Sequence, residues 1–135
     1  MKELQYEGVV IGGGAAGMAA ALELIKNGVS CAIIEREPHL GGILTQCIHN
    51  GFGLIEFNEE LSGPEFAEKF EDQVKAQNIT YFLSTTVMEI QNAEGKKILY
   101  CYSSEWGILK ITCDVLILAM GCRERNRGNI RIPGD

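Results

Sequence analysis

Three consecutive glycines follow a short apolar run near the start of the chain. Residues 12–17 read Gly-Gly-Gly-Ala-Ala-Gly and fit the spacing G-x-G-x-x-G. In that spacing Gly12 allows a tight turn, Gly14 lets a pyrophosphate approach the backbone, and Gly17 lets a helix pack on a strand. Free N–H groups and the dipole at the start of the helix favour the phosphate charge. The segment therefore predicts a dinucleotide-binding turn; the alternative is a glycine-rich turn that only packs a helix on a strand.

An acidic residue stands where such a site needs one. Glu35 ends the second predicted strand, 18 residues after Gly17. A carboxylate there accepts hydrogen bonds from the hydroxyls of an adenosine ribose and repels a 2′-phosphate. The acid and the glycines together favour dinucleotide binding over the packing alternative.

Alternating strand and helix patterns surround these residues, which is typical of an α/β fold with a Rossmann-like, doubly wound parallel sheet. Three later strand-like runs, separated by Asn-Ala-Glu-Gly and Ser-Ser-Glu-Trp-Gly, predict an antiparallel β-meander. The predicted strands cover Gln5–Ile11, Ser30–Ile34, Ile79–Leu83 and about 85–92, 96–102 and 107–112. The predicted helices cover Ala15–Asn27 and the segment from the Ser62 cap to Gln77.

Two further segments carry clear signals. Ser62, Pro64 and Glu65 predict a helix start with a capping box. Asp114–Met120 is a continuous apolar run, which predicts a separate central strand buried on both faces.

Composition limits the classes of function. The chain has 135 residues, enough for one domain, and a net charge of −6, which argues against nucleic acid as a partner. No apolar run is long enough to span a bilayer, and the first eight residues lack the apolar region of a signal peptide. The five cysteines show no C-x-x-C spacing and predict reduced thiols in a cytoplasmic protein. Two isolated histidines and dispersed cysteines predict no metal site.

A second pair of glycines points to a particular family. Gly41 and Gly42 follow Glu35 in EREPHLGG, which resembles the FAD-binding unit of the glutathione-reductase-like flavoproteins with two dinucleotide folds. The segment LILAMGCRERNRGNIRIPGD resembles the second fingerprint of that family, with Met120 in place of a threonine. The resemblance implies FAD as the cofactor. The residues assigned to FAD are Gly12, Gly13, Gly14, Ala15, Ala16, Gly17, Glu35, Arg36, Gly41, Gly42, Val87, Ala119 and Gly121.

A narrower resemblance concerns flavoproteins that are encoded with a partner dehydrogenase. GGILTQCIHNGFG and GCRERNRGNIRIPGD resemble the A subunits of opine, hydroxyproline and cyanide-forming dehydrogenases and flavoproteins paired with glycerol-3-phosphate dehydrogenase. In those proteins the Pro-Gly near residues 133–134 leads into an NAD(P)H-binding domain, after which the chain returns to the FAD site. The resemblance thus implies that residues 1–135 are the amino-terminal part of an FAD-binding domain, without the NAD(P)H domain and the returning segment.

The candidates for catalysis are few. The C-x-x-x-x-C of the family's disulfide reductases would fall on Leu44 and His49, so the resemblance implies that no redox disulfide is present. Cys47 lies two residues before His49, and such a pair does not share a helix face, so we expect no Cys–His nucleophile. His49 is the one candidate catalytic residue, as a proton donor or charge stabiliser. The alternative is a buried Cys47 and a His49 that hydrogen-bonds to backbone near a glycine-rich turn.

Two functions remain open. The first is an FAD-dependent oxidoreductase that passes hydride or electrons between a nicotinamide or a small organic substrate and flavin, using NAD(P)H in the full-length protein. The second is a non-catalytic dinucleotide-binding module, or a structural or regulatory subunit of a dehydrogenase complex. The predicted partners are a small-molecule substrate and a partner dehydrogenase subunit, with no nucleic acid and no membrane. Arg123, Arg125 and Arg127 alternate and would meet a phosphate, a partner subunit or solvent. Cys122 follows Gly121 and would lie either near the cofactor or away from it, and the second alternative is favoured.

Overall fold

The computed structural model describes residues 1–122 and 131. The expectations for Arg123, Arg125, Arg127 and Pro133-Gly134 concern residues outside this part of the chain. The helices are α1 (Ala15–Lys26) and α2 (Gly63–Ala76), with a short 3-10 helix at Gly42–Gln46. The strands are β1 (Lys2–Ile11), β2 (Cys31–Ile34), β3 (Asn50–Phe52), β4 (Leu61–Ser62), β5 (Thr80–Phe82), β6 (Thr85–Ala93), β7 (Lys96–Ser103) and β8 (Gly107–Leu118).

Six strands form one sheet in the order β5-β2-β1-β8-β7-β6. The first four are parallel to one another, and β7 and β6 continue the sheet antiparallel. The predicted α/β class, with a Rossmann-like parallel sheet and an antiparallel meander, is confirmed. No helix in the described part of the chain is long and apolar enough to cross a lipid bilayer.

The core has two parts, one on each face of the parallel strands. On one face Met18 of α1 and Val74 of α2 pack against Val10 and Ile33. On the other face Val9 and its neighbours pack against the inner side of the meander. All of these side chains are fully buried, so the alternation of β1 residues between the two faces fixes its position in the sheet.

The last strand differs from its prediction. The two predicted runs, 107–112 and Asp114–Met120, contain one continuous strand, Gly107–Leu118, that serves both the meander and the parallel sheet. Its end is not buried on both faces, since Val115 is 47% and Leu118 is 58% exposed. The cause is that β7 accompanies β8 only as far as Cys113, whereas β1 accompanies it to Leu118. The same pairing extends β1 back to Lys2, which lies opposite Leu109.

The start of α2 agrees with its prediction. The Ser62 hydroxyl accepts a hydrogen bond from the Glu65 N–H, and the Glu65 carboxylate accepts one from the Ser62 N–H. This capping box satisfies two N–H groups that the helix itself leaves without partners. The small β3–β4 pair between the 3-10 helix and α2 was not predicted, because strands of three and two residues leave no readable alternation.

Candidate functional site

A groove of about 820 Å³ lies where three parallel strands end. Glu35, Gly12 and Ala119 directly follow β2, β1 and β8, which are neighbours in the sheet. In open α/β sheets the carboxyl ends of the strands are the usual ligand site. Of the residues assigned to FAD, those that line the groove are Gly12, Gly14, Ala15, Ala16, Glu35, Arg36, Gly41, Gly42, Val87, Ala119 and Gly121.

Two glycines of the first motif are required by the protein's own backbone. Gly12 has φ +110°, and a side chain there would collide with the carbonyl of Ala119. A side chain at Gly17 would collide with the carbonyl of Gly12. Gly12 therefore allows the end of β8 to pass close to the turn, which the spacing did not predict, and Gly17 lets α1 pack on the turn at the end of β1, as expected.

Gly14 is different. Its backbone is extended, with φ −80° and ψ −167°, a conformation that any residue adopts. A Cβ there would meet only the Cα of Gly42, at 3.8 Å, which is ordinary van der Waals contact. Nothing in the described protein thus requires a glycine at this position, which faces the groove.

The Glu35 carboxylate is held by two backbone groups. One oxygen accepts a hydrogen bond from the Gly13 N–H at 3.0 Å, and the other accepts one from the Glu37 N–H at 2.6 Å. The residue is only 8% exposed, yet it lines the groove. Each carboxylate oxygen can accept a further hydrogen bond. Gly13 itself does not line the groove, and its N–H orients the acid instead.

The second glycine pair forms the opposite wall. Gly41 has φ +111° and donates its N–H to the Gly13 carbonyl at 2.8 Å. Gly42 has φ +56° and faces Gly14, so that a Cβ on Gly42 would lie 3.1 Å from the Cα of Gly14. The two glycine motifs are therefore in direct contact with each other where they line the groove.

Thr45 supports this wall and was missed in the sequence. Its hydroxyl donates to the Gly42 carbonyl at 2.9 Å. Its methyl group occupies the space next to Gly41, where a Cβ would lie only 2.8 Å from it. The available signal was a threonine three residues after a glycine at the start of a 3-10 helix, since Thr often bonds nearby backbone in such turns.

The groove has a polar and an apolar part. Arg36, Glu37 and His39 lie beyond β2, next to Glu35, and the Arg36 and Glu37 side chains form an exposed ion pair at 3.6 Å. The apolar part contains Met120, which follows β8 and is 66% exposed, and Ile43 of the 3-10 helix, which is 70% exposed. A ligand with a sugar at one end and an apolar ring at the other matches this distribution.

The structure places His49 outside the groove. Its ring Nδ1 lies 3.0 Å from the carbonyl of Asn50, beside Gly51, and the ring packs against Phe52 at 5.2 Å between centroids. This is the alternative arrangement that the sequence left open. Cys47 is half-buried, with its thiol 3.4 Å from the Ile43 carbonyl, rather than fully buried as expected.

The other cysteines divide into two groups. Cys31, Cys101 and Cys113 are buried. Burial raises the pKa of the Cys101 thiol to about 11 and also raises the pKa values of Cys31 and Cys113. These thiols are neutral at physiological pH, whereas Cys122 is exposed and lines the groove. Within residues 1–122 and 131, no three His, Cys, Asp or Glu side chains come together as metal ligands.

Known proteins match both the sequence and the fold. Residues 6–135 match the family model described as pyridine nucleotide-disulphide oxidoreductase. Subunit HcnB of hydrogen cyanide synthase from Pseudomonas protegens is 34% identical over 134 residues, which cover 93% of this chain and 26% of HcnB. The HcnB of Pseudomonas aeruginosa is 27% identical with the same coverage. The chain thus spans about a quarter of the length of these curated relatives.

Solved structures share the fold. Thioredoxin reductase from T. acidophilum superposes with a TM-score of 0.77 at 21% identity, over 92% of this chain and 38% of that chain. L-Proline dehydrogenase from P. horikoshii superposes with a TM-score of 0.76 at 22% identity, over 89% of this chain and 23% of that chain. The expected likeness to FAD- and NAD(P)-binding oxidoreductases, and to a cyanide-forming one in particular, is confirmed.

Proposed function

Because the chain belongs to the pyridine nucleotide-disulphide oxidoreductase family, we propose that it forms the adenosine- and pyrophosphate-binding part of the FAD site of an oxidoreductase. The observation that carries the proposal is Gly14, a groove residue whose backbone and neighbours accept a side chain. A pyrophosphate lying on this turn would explain why the position is a glycine.

The described residues fit FAD along the length of the groove. The fixed Glu35 carboxylate presents its remaining acceptor positions to a ribose diol, in a charge-assisted geometry. Ala15 and Ala16, the first residues of α1, line the groove, and their N–H groups would donate to a phosphate bound there. Ile43 and Met120 offer apolar surface to an aromatic ring.

FAD supplies the hydride-accepting chemistry when it is bound, and the residues of this chain bind and orient it. We assign no redox disulfide, since the two positions where the related disulfide reductases carry cysteines are Leu44, which is buried, and His49, which lies outside the groove. In the whole protein, electrons would then pass between NAD(P)H or a small organic substrate and flavin without a dithiol step.

The partner of the whole protein is proposed from the relatives. HcnB is a subunit of its enzyme, so we propose a partner dehydrogenase subunit for the protein to which these residues belong. A cytoplasmic location accords with five cysteines that are all free thiols.

A non-catalytic binding module is the second candidate, and the position of His49 favours it. Without His49, the described groove offers no histidine at its apolar end. Photoreduction of the bound flavin, followed by mixing with an electron acceptor, distinguishes the two candidates. The reduced flavin of an oxidoreductase is reoxidised by a nicotinamide or by a small organic substrate. The reduced flavin of a non-catalytic module exchanges no electrons with either.

The binding proposal is tested with Gly14→Val. Titration of FAD or ADP-ribose into the labelled chain, followed in ¹H–¹⁵N spectra, reports weak binding through the amides of the glycine turn. We expect shifts in the wild-type chain and an affinity lower by about tenfold or more in Gly14→Val, because about 1.4 kcal/mol is tenfold. Circular dichroism should stay native.

Ala19→Val is the matched control, because Ala19 lies exposed on α1 and does not line the groove. It should bind as the wild-type chain does. Equal affinity in Gly14→Val and the wild-type chain would overturn the pyrophosphate assignment.

A further inference from the structure

Ser84 lies in the short connection between β5 and β6 and has a left-handed backbone conformation, with φ +48°. Such a φ is uncommon for a residue other than glycine or asparagine, and its energetic cost is borne only where the surrounding contacts require it. The turn at Ser84 is closed by the Thr85 hydroxyl, which donates to the Leu83 carbonyl at 2.8 Å. Thr85 is 1% exposed and lines the groove. Ser84 is therefore the direct neighbour of a groove residue.

The conformation of Ser84 turns two successive N–H groups toward the residues that follow β2. The Ser84 N–H donates to the Glu37 carbonyl at 2.9 Å, and the Thr85 N–H donates to the Glu35 carbonyl at 3.0 Å. In an extended strand, neighbouring N–H groups point in opposite directions, so an extended residue 84 would turn one of the two away. The positive φ of Ser84 therefore allows both hydrogen bonds to form.

These hydrogen bonds hold the residue that orients the acid of the groove. Glu37 donates its N–H to the Glu35 carboxylate at 2.6 Å, and its carbonyl accepts the Ser84 N–H. Because Pro38 follows Glu37, the backbone of Glu37 is also restricted to extended conformations. Glu37 is thus fixed on its carbonyl side, and its N–H stays directed at the Glu35 carboxylate.

The Ser84 carbonyl connects the same point to the meander. It accepts the N–H of Ser104, in the turn between β7 and β8, at 3.1 Å. In that turn the Ser103 hydroxyl oxygen accepts the N–H groups of Glu105 and Trp106, each at 3.2 Å. Ser103 is 1% exposed, so the turn that holds Ser84 is itself anchored in the core.

We propose that Ser84 is a positioning residue for the adenosine ribose, acting through Glu37 on the Glu35 carboxylate. The inference rests on the proposed function, in which Glu35 accepts hydrogen bonds from the ribose diol of FAD. Ser84 itself does not line the groove. Its N–H and its left-handed conformation carry the role, so a residue that resists a positive φ would release Glu37 and let the carboxylate turn away from the ribose.

Ser84→Val and Asn78→Val form a matched pair of variants. Asn78 follows α2 with φ +54° and does not line the groove, so valine strains both positions in the same way. ADP-ribose and its analogue without the adenosine 2′-hydroxyl are titrated into each labelled chain and followed in ¹H–¹⁵N spectra. The wild-type chain and Asn78→Val should prefer ADP-ribose by about tenfold, and Ser84→Val by about threefold or less. Ser84→Gly accepts the positive φ and should keep the wild-type preference.

The Glu37 amide gives a second readout that needs no ligand. Its proton lies in a short hydrogen bond to a carboxylate and should resonate far downfield in the wild-type chain. It should move upfield in Ser84→Val and stay in place in Asn78→Val and Ser84→Gly. Circular dichroism checks the fold, and Ser84→Thr, a milder β-branched change, replaces Ser84→Val if that variant does not fold.

The outcomes separate the positioning role from the proposed function. An unmoved Glu37 amide in the β-branched variant at position 84, or an unchanged preference for ADP-ribose, overturns the positioning role alone. Loss of the preference in Asn78→Val as well would show a general effect of lowered stability and would also overturn it. A wild-type chain that binds neither ligand would instead overturn the proposed function, on which the positioning role depends.

Discussion

Single residues of the groove show which roles a sequence can reveal. The positions of Glu35 and of the glycines at 12, 14 and 17 around the turn were predicted because their spacing is tied to a turn that recurs in many proteins, and their contacts with FAD stay predictions. The roles of Gly13 and Thr45 were not, because both act through hydrogen bonds to residues brought close only by folding. His49 had the right chemistry for a catalyst, but the segment that carries it turns away from the groove.

Glu35→Gln tests the two functions of the acid separately. A glutamine retains one acceptor oxygen, so either the Gly13 or the Glu37 N–H loses its partner. We expect the free energy of unfolding of the unliganded protein to fall by about 1–3 kcal/mol. The wild-type chain should also prefer FAD over an analogue whose adenosine ribose lacks a hydroxyl, and Glu35→Gln should lose that preference. A variant that keeps the full preference would show that Glu35 only supports the turn.

The wall of the groove formed by Gly41 and Gly42 shows how one element positions another. Gly63, the first residue of α2, donates its N–H to the Cys47 carbonyl at 2.8 Å. A side chain there would collide with the carbonyls of Leu44 and Cys47. The start of α2 is therefore in contact with the segment that follows Gly42, so a change at the helix start is transmitted to the groove. The capping box was evident in the sequence, and this contact was not, because glycine gave no sign of what lies beside it.

Gly63→Ala and Ser62→Ala form a matched pair at this element. Gly63→Ala should lower the free energy of unfolding by about 1–3 kcal/mol through overpacking, and it should also weaken FAD binding because it displaces the 3-10 helix. Ser62→Ala should cost about 1 kcal/mol through loss of the cap and leave FAD affinity unchanged. Chemical denaturation and FAD titration of both variants measure the difference. If both variants bind FAD equally well, the groove does not depend on this contact.

At the scale of the whole molecule, the class of the sheet could be predicted and the bounds of its last strand could not. The alternation of strands and helices indicated a parallel sheet with a meander, and the sheet has both. Gly107–Leu118 was divided in two because its character changes at Asp114, from alternating to continuously apolar. That change marks the point at which β7 leaves the strand, and the strand itself continues.

The buried thiols make the free energy of unfolding fall at high pH. The pKa of Cys101 is about 11 in the folded protein, compared with 9.0 for an unperturbed thiol. The unfolded chain therefore releases this proton first, and the stabilisation present below pH 9.0 is lost as pH rises toward about 11. Urea unfolding measures the free energy of unfolding across this pH range. That free energy should fall more steeply with pH in the wild-type chain than in Cys101→Val, and the two slopes should differ by at most about 1.4 kcal/mol per pH unit. Equal slopes would contradict a neutral buried thiol.

The pairing of β1 with β8 has a consequence for synthesis on the ribosome. Lys2 lies beside Leu109 and Ile11 beside Leu118, so β1 leaves the ribosome long before β8, one of its two neighbours in the sheet, has been made. Contacts so distant in sequence form slowly, since a long loop must close before they contribute. Until then β1 can pair with β2 alone, and its other side remains available to other nascent chains. β1, which leads into the glycine turn, is therefore made before its two neighbours in the sheet and is paired on both sides only after β8 has been made.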